Sequence, residues 1–553
     1  APAGDTVVRG YRSRIDGSVQ PYAVSYPLDY GLSRKKRYRL DVVLHGRDLS
    51  LTEVAFLHRA SQQAPTPRDV AFIKIDIYGR GNNAYRWAGE ADVYEAVENF
   101  LAVETAMGRG GLIDRNRVVL RGYSMGGAGT WHLGLHRPDQ FAALAPGAGF
   151  TTTHGFLADL PDKLPPYQEA CLGIYDAADY AENAFQVPII AYSGEKDPQL
   201  LAARTMEARM KPLGLTLNHL VAPDLAHQFP PEWQKKVLAE VDKLLEKERP
   251  TYPGKIRFVT RTLKYPGCNW VEILGMDQHY RQARVEAERT ENGFTVSTSN
   301  IRTLRLGLWP GATREPISIV IDGTKLESVR PHASPTGDFQ VYLDKQSGAW
   351  QAIMPETLAV RRLRRPVKTS GLTGPIDDAF TAPFLCVKGT GEPWHKSVGD
   401  HSQANLERFQ AEWVKYFRGE LPVKADTEVT AEDIATRNLI LFGDPSSNRL
   451  IREVLPGLPL QWTRESVQLG KTKAEAGSHV PVLIYPSPLA VGKYVVLNSG
   501  HTFRAEDLQG SNARLYPRLG DYAVLALDAK DPLKTDVLAA GLFDDDWSIP
   551  AER

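Results

Sequence analysis

The sequence predicts a doubly wound α/β domain, then a β-rich, sandwich-like domain and a C-terminal α/β domain. Three observations predict this order. Apolar runs alternate with amphipathic helical segments in residues 1–250, short alternating strands follow from residue 256, and alternating α and β patterns return from residue 366. With 553 residues, of which 42% are hydrophobic, the chain has enough apolar material for several cores.

Parallel strands buried on both faces are indicated in the first region. Runs such as "DVVLH" and "VPIIAY" contain little polar alternation, as expected for such strands. Strands are predicted at residues 39–45, 70–78, 117–123, 141–146, 187–193 and 217–222, and helices at 91–107, 200–211 and 232–247. Ahead of them, two strands around Asp16-Gly17 predict an antiparallel edge.

The domain boundaries follow from changes in pattern. The stretch "RPTYPGK" at residues 249–255 breaks the last helix and begins alternating strands, so we predict domains at 1–250, 256–365 and 366–553. Turn dipeptides such as Asn292-Gly293 punctuate the second domain, which we interpret as a packing or spacer module rather than a ligand-binding one. In the third, "LILFGDPSSNRLIREVL" lacks the glycine pattern of a phosphate or dinucleotide loop and indicates an ordinary strand–loop–helix connection.

Composition argues against several classes of partner. Lys and Arg number 66, as do Asp and Glu, so no net charge favours nucleic acid or an anionic membrane. No apolar stretch reaches 18 residues, and the three cysteines lie in neither disulfide nor zinc spacing. We therefore expect no membrane span, no metal and no organic cofactor. The chain starts Ala-Pro-Ala, which fits a mature secreted or periplasmic protein or a cytoplasmic one.

One short motif carries the chemistry. In "RGYSMGGAGTWHLG", Ser124 lies between Gly122 and Gly126, after the strand "RVVLRGY" and before a helix that Pro138 ends. A G-x-S-x-G sequence between a strand and a helix forms a tight turn that projects the serine hydroxyl above the carboxyl edge of the sheet. We predict that Ser124 is a nucleophile.

A serine hydroxyl needs a histidine base and a carboxylate that orients it. Asp197 follows the strand at 187–193, and His227 follows the strand at 217–222, in the chain order Ser, Asp, His that this turn requires. Glu195 and Asp224 are alternative acids. We predict the triad Ser124, Asp197 and His227.

The other histidines of this region fit structural positions better than a catalytic one. His219 lies inside a predicted strand, and His132 and His136 lie one and two turns along the helix after the serine. His45 ends the third strand, where the backbone of its neighbours matters more than its imidazole. Two backbone donors are needed for an oxyanion, and we predict the N–H groups of Met125 and Arg47.

The four stretches "VVLHG", "GYSMGG", "SGEKD" and "AHQF" resemble the alpha/beta-hydrolase superfamily. Within it, residues 1–248 are similar to feruloyl and acetylxylan esterases, polyhydroxybutyrate depolymerases and prolyl oligopeptidase family hydrolases. The resemblance implies acyl-serine chemistry carried by Ser124, Asp197 and His227. Prolyl oligopeptidases place a β-propeller before the hydrolase domain, whereas here the hydrolase-like part comes first, which argues against a peptidase.

The resemblance also implies substrate contacts. Similar hydrolases place glycine, arginine and aromatic residues after the fourth strand, where this chain has "GRGNNAYRW", so Arg80, Tyr85 and Trp87 are expected to contact substrate; a purely structural loop is the alternative. Residues 147–186 occupy the place of a lid, and Tyr167, Tyr175 and Tyr180 could shape an acyl pocket.

Together these features predict a serine carboxylic-ester hydrolase acting on a small-molecule or oligosaccharide ester, such as a feruloyl or acetyl ester of a carbohydrate. The alternatives are a serine peptidase of prolyl oligopeptidase type and a binding protein whose hydrolase fold has lost activity. A complete Ser, Asp and His set argues against the binding protein.

Overall fold

A computed structural model describes residues 4–247 and 249–550 of the chain. The Ala-Pro-Ala start, considered above in connection with secretion, lies outside the described residues. Within the described ranges, no helix combines the length and the apolar character needed to cross a membrane.

Eight strands of the first region form one sheet in the order β1-β2-β4-β3-β5-β6-β7-β8, in which β3 to β8 are parallel and β1 and β2 make an antiparallel edge. The strands are β1 Thr6–Arg12, β2 Val19–Ser25, β3 Tyr38–Leu44, β4 Ile73–Ile77, β5 Ile113–Tyr123, β6 Ala143–Gly147, β7 Ile190–Gly194 and β8 Asn218–Ala222. The helices are α1 Glu53–Ser61, α2 Ala88–Ala106, α3 Met125–His136, α4 Pro166–Leu172, α5 Leu200–Met210 and α6 Pro231–Leu244. The predicted doubly wound sheet is confirmed.

Two antiparallel-rich sheets follow, and their facing apolar side chains, among them Ile273, Val285 and Leu304, form a separate core. This is the predicted sandwich-like region. Its strands are β9 Lys255–Thr260, β10 Gly267–Cys268, β11 Val271–Met276, β12 Ala283–Thr290, β13 Gly293–Ser299, β14 Ile301–Gly307, β15 Ile317–Ile321, β16 Thr324–Val329, β17 His332–Ala333, β18 Phe339–Gln346 and β19 Ala349–Ile353, with helix α7 at Pro355–Arg364.

The last region is of α/β type, as predicted. A seven-stranded sheet in the order β21-β20-β22-β27-β26-β28-β29 has four neighbouring parallel strands and an antiparallel half. Its strands are β20 Phe384–Lys388, β21 Val423–Ala425, β22 Asn438–Phe442, β26 His479–Pro486, β27 Tyr494–Leu497, β28 Tyr522–Leu527 and β29 Thr535–Gly541; β23 Leu460–Trp462, β24 Ser466–Leu469 and β25 Thr472–Glu475 form a small separate sheet. The helices are α8 Lys396–Glu412, α9 Ala431–Thr436, α10 Arg449–Val454 and α11 Ala505–Gln509.

The connection between β22 and α10 is held by hydrogen bonds to the side chain of Asp444. The Asp444 carboxylate accepts hydrogen bonds from the backbone N–H groups of Ser446, Ser447 and Trp394, at 2.7 to 3.0 Å. These donors are therefore engaged within the protein, in keeping with the interpretation of this segment as a structural connection.

One of the apolar cores is shared by the three regions. Trp87 and Tyr175 of the first region and Tyr265 and Tyr280 of the second pack into the same cluster of buried residues as the sheet of the third. This core crosses the predicted domain boundaries. The division of the chain into domains at 1–250, 256–365 and 366–553 therefore stays a prediction.

Candidate active site

Ser124 occupies a strained turn between β5 and α3, with φ 59° and ψ −118°. The flanking glycines let the turn pack tightly. A Cβ atom at Gly122 would lie 2.4 Å from the carbonyl oxygen of Gly126, and one at Gly126 would lie 2.0 Å from the carbonyl oxygen of Leu44, so neither position has room for a side chain. The turn holds the hydroxyl of Ser124 at the carboxyl edge of the sheet.

The structure brings together the three residues of the predicted triad. His227 Nε2 lies 2.9 Å from Ser124 Oγ, and His227 Nδ1 lies 2.8 Å from Asp197 Oδ2. The other carboxylate oxygen of Asp197 accepts a 2.8 Å hydrogen bond from the backbone N–H of Gln199. The Asp197 side chain is fully buried, whereas that of His227 is 39% exposed, so the acid is fixed inside the protein while the base faces the solvent side.

The loops that carry the acid and the base brace each other. A Cβ atom at Gly194, the last residue of β7, would lie 2.3 Å from the carbonyl oxygen of Ala226, and the N–H of Lys196 donates to the carbonyl of Leu225 at 2.8 Å. The ring of Tyr123 stacks on the imidazole of His227, with 4.8 Å between centroids. This packing limits the orientations open to the base.

The alternative acids make other contacts. Glu195 Oε2 accepts the backbone N–H of Asp224 at 2.9 Å, and the Asp224 carboxylate pairs with Lys196 at 2.7 Å. Both contacts join the loop after β7 to the loop after β8. The carboxylate that contacts His227 is that of Asp197.

The remaining histidines have structural surroundings. His219 contacts Glu207 and Ser193, both at 3.2 Å, and the ring nitrogens of His45 lie against backbone carbonyls. His132 and His136 are buried in α3, and burial lowers the pKa of both; for His132, the nearby Arg86 adds to this effect and the pKa falls to about 3. Both imidazoles of α3 are therefore neutral at physiological pH.

The loop after β3 approaches the serine, as the predicted oxyanion hole requires. A Cβ atom at Gly46 would lie 3.6 Å from that of Ser124. Met125 is the first residue of α3, and its N–H is among the donors that a helix leaves without an intrahelical partner. Arg47 follows Gly46 and lines the same cleft as Ser124.

A cleft of about 350 Å³ opens above the serine. Apolar side chains come from the segment after β6, where Phe150 stacks on Phe156 with 4.7 Å between centroids. Polar side chains come from several parts of the chain. The cleft is lined by Arg47, Ser124, Met125, Phe150, Phe156, Leu157, Ala158, Asp159, Gln199, Ser511 and Asn512.

The expected substrate contacts after β4 need correction, because Arg80, Tyr85 and Trp87 are each at most 1% exposed and none lines this cleft. The Arg80 guanidinium pairs with two buried carboxylates, which holds it in the interior. Tyr85 donates to the carbonyl of His45 at 3.1 Å, and the indole of Trp87 donates to the carbonyl of Leu515 at 3.1 Å. The loop is structural.

The tyrosines of the segment 147–186 also lie apart from the cleft lining. Tyr175 is buried and donates to Glu90 at 2.7 Å, and Tyr180 is buried and donates to the carbonyl of Gly173 at 2.9 Å. Tyr167, in α4, is half-buried and also absent from the lining. The segment contributes Phe150 and the residues at 156–159 instead.

Sequence reasoning did not identify Phe150, Phe156, Gln199, Ser511 or Asn512 as cleft residues. Gln199 could have been found, since it lies two residues after the acid and its own N–H binds the acid. Ser511 and Asn512 belong to the C-terminal region, and no local pattern links them to a site nearly 400 residues earlier in the chain.

Part of the chain is similar to known proteins. Residues 57–248 match the prolyl oligopeptidase family. An uncharacterized secreted protein of Arthroderma benhamiae is 24% identical over 261 residues, which cover 43% of this chain and 27% of that protein. The chain therefore spans about a quarter of the length of this relative.

Solved structures also align with part of the chain. A ferulic acid esterase is 18% identical and aligns over 45% of this chain and 99% of its own, with a TM-score of 0.32. The fluorophosphonate-binding serine hydrolase F of Staphylococcus aureus is 16% identical over 44% of this chain and 100% of its own (TM-score 0.34), and dipeptidyl peptidase 4 of Porphyromonas gingivalis is 14% identical over 44% and 36% (TM-score 0.33). The family match, the eight-stranded sheet and the serine turn support an alpha/beta-hydrolase fold of the serine hydrolase type for the first region, which is followed by a β-sandwich-like and an α/β region.

Proposed function

We propose that the protein is a carboxylic-ester hydrolase that works through an acyl-enzyme on Ser124. The observation that carries the proposal is the continuous chain of contacts from Ser124 Oγ through His227 to the buried Asp197, at 2.9 and 2.8 Å. Such a chain lets a neutral imidazole accept the serine proton while the carboxylate stabilises the imidazolium that forms.

The proposed reaction has two halves. His227 Nε2 takes the proton of Ser124 as Oγ attacks the ester carbonyl, and the N–H groups of Met125 and Arg47 donate to the oxyanion. The tetrahedral intermediate then collapses, the alcohol leaves with the proton from His227, and an acyl-serine remains. In the second half, His227 takes a proton from water, the hydroxide attacks the acyl-serine, and the acid leaves as His227 returns the proton to Ser124. This chemistry needs only side chains, backbone N–H groups and water, so we propose no cofactor or metal.

The dimensions of the cleft support a small ester or an oligosaccharide ester as substrate. A volume of about 350 Å³ is at the small end of the range for ligand sites, and the Phe150–Phe156 pair offers a flat apolar surface to an acyl group. We propose acylated carbohydrate, with feruloyl or acetyl esters, as the substrate class. We also propose a secreted or periplasmic location, which the description of the Arthroderma relative as a secreted protein supports.

A serine peptidase is the second candidate, and the match of residues 57–248 to the prolyl oligopeptidase family favours it. Ester and amide hydrolysis share the triad but differ in the leaving group, which is an alcohol in one case and an amine in the other. The two candidates therefore make different predictions for matched substrates.

Hydrolysis of short acyl esters, of methyl ferulate and of a proline-containing peptide amide should be measured for the wild type, Ser124→Ala and Ser61→Ala. Ser61 is an exposed serine at the end of α1 and serves as the matched control. We expect ester cleavage that is lost in Ser124→Ala and kept in Ser61→Ala. Cleavage of the amide in preference to the esters would establish the peptidase, and wild-type ester cleavage by Ser124→Ala would refute the mechanism. Folded protein that turns over no substrate and resists a fluorophosphonate probe would indicate a binding protein.

A further inference from the structure

One wall of the cleft comes from the C-terminal region. Ser511 and Asn512 line the same cleft as Ser124, although almost 400 residues separate them in sequence. The Asn512 Nδ2 group donates to the carbonyl of Asn82 at 2.7 Å, and Arg47 Nη2 donates to the carbonyl of Gln509 at 2.6 Å. We call residues 511–515 the C-terminal wall.

The C-terminal wall is held from beneath by the loop after β4. The indole N–H of Trp87 donates to the carbonyl of Leu515, and the buried guanidinium of Arg86 makes longer contacts, 3.4 and 3.5 Å, with the carbonyls of Ala513 and Leu515. On the cleft side, Arg514 pairs with Asp159, another residue of the cleft. The wall is therefore tied to the hydrolase domain at several points, and Arg86 and Trp87 are positioning residues for it.

The two sides of the cleft differ in chemistry. Phe150 and Phe156 also line an adjoining pocket of about 220 Å³ beside Leu201 and Ala202, so an apolar acyl group fits on their side. Ser511 and Asn512 present polar groups on the C-terminal wall. Within residues 4–247 and 249–550, Asn512 Oδ1 has no hydrogen-bond partner, while its Nδ2 is committed to Asn82. An acceptor held in this way matches a hydroxyl donor.

We propose that the C-terminal wall is a specificity element, in which Asn512 Oδ1 accepts a hydrogen bond from a hydroxyl group on the alcohol part of the ester. The substrate is then an ester of a polyhydroxylated alcohol, with its acyl group against Phe150 and Phe156. This inference rests on the proposed esterase function and adds to it a role for the C-terminal region.

The first test compares ethyl acetate with 2-hydroxyethyl acetate, two esters that share an acyl group and differ by one hydroxyl. We take the kcat/KM for 2-hydroxyethyl acetate divided by that for ethyl acetate. This ratio should fall about three- to ten-fold in Asn512→Ala, mainly through a higher KM for the hydroxylated ester, because one neutral hydrogen bond is lost. Gln509→Ala is the matched control, since its side chain is exposed and donates to Tyr416. An unchanged ratio in Asn512→Ala, with both esters hydrolysed, would overturn the inference and leave the esterase proposal intact.

The second test does not depend on ester turnover. Ser511→Cys is treated with a bulky maleimide, and the rate at which a fluorophosphonate probe labels Ser124 is measured. The native Cys171, Cys268 and Cys386 are buried and should not react. Labelling should slow about ten-fold or more after modification, because the adduct fills the cleft, while modified Gln509→Cys labels at the wild-type rate. Equal labelling rates for the two modified variants would show that the C-terminal wall does not line the cleft, and would overturn the inference. Absence of labelling and of ester hydrolysis in the unmodified wild type would instead overturn the proposed function, and this inference with it.

Discussion

Replacement of Arg80 by methionine should destabilise the protein and leave substrate binding unchanged. The Arg80 side chain is fully buried and donates to Asp92 Oδ1 at 2.9 Å, to both carboxylate oxygens of Asp16 at 2.7 and 3.1 Å, and to the carbonyl of Phe417 at 3.1 Å. It therefore joins the β1–β2 turn and α2 to the C-terminal region. Methionine keeps much of the volume and removes the charge and every donor.

The expected loss follows from the two carboxylates left behind. Removing one partner of a buried ion pair costs about 3–5 kcal/mol. In the wild type, burial raises the pKa of Asp92 to about 6 despite the opposing effect of Arg80. Burial also acts to raise the pKa of Asp16, but the hydrogen bonds and charge of Arg80 outweigh it, and the pKa of Asp16 is lowered. Without Arg80, the pKa of both carboxyl groups rises.

The loss should depend on pH. In the variant, the folded state holds protons on these carboxyl groups that the unfolded state has released, so its stability rises as pH falls, by up to about 1.4 kcal/mol per pH unit for each group. The stability difference from the wild type should therefore be largest near pH 8 and smaller near pH 6.

Urea unfolding followed by tryptophan fluorescence measures the stability, and initial rates on the best ester give KM. Arg115→Met, at an exposed position on β5, is the control for loss of an arginine and should leave the unfolding midpoint unchanged. If Arg80→Met raised KM several-fold with an unchanged unfolding midpoint, our structural assignment would be refuted and Arg80 would be a substrate contact, as the resemblance had implied.

Two further predictions concern the base and the helix behind it. Asp197→Asn should lower kcat by a factor of about 10³ to 10⁴ with little change in folding, because the amide no longer holds His227 in the required tautomer; stopped ester assays measure this, and near-wild-type kcat would favour another acid. For His132, whose folded-state pKa of about 3 lies below an unfolded value of about 6.5, the unfolded state gains the proton first on acidification, so stability is lost as pH falls. Urea titrations should show that the loss of unfolding free energy from pH 7 to pH 5 is about 2 kcal/mol smaller in His132→Asn than in the wild type; equal losses would contradict a buried neutral imidazole.

The convergence of Ser124, Asp197 and His227 could be predicted from the sequence because it depends on local order. Each member lies directly after a parallel strand, and the carboxyl ends of such strands meet at one edge of the sheet. Once strands were predicted within a few residues of β5, β7 and β8, the loops at Ser124, Asp197 and His227 had to converge. Because each residue lies within a few positions of the end of its strand, a small error in the predicted strand boundary does not change where its side chain lies.

The role of the loop after β4 could not be predicted in the same way. Arg80, Tyr85 and Trp87 have the residue types of a binding site, but their partners lie up to 428 residues away, at Asp16, Phe417 and Leu515. An arginine that faces a cleft and an arginine that pairs with buried carboxylates have the same local sequence. Only the long-range packing distinguishes them.

The same packing explains why the last 300 residues matter for the site. The core that contains Trp87 and Tyr175 is completed by the C-terminal sheet, so the loop after β4 is ordered by contacts that the hydrolase domain alone does not supply. That loop in turn holds residues 511–515 over the cleft. The loop after β4 and the C-terminal region thus hold each other in place. A change in the C-terminal region can therefore alter the shape of the substrate cleft. The contacts among Ser124, Asp197 and His227 involve the first sheet alone and would stay intact.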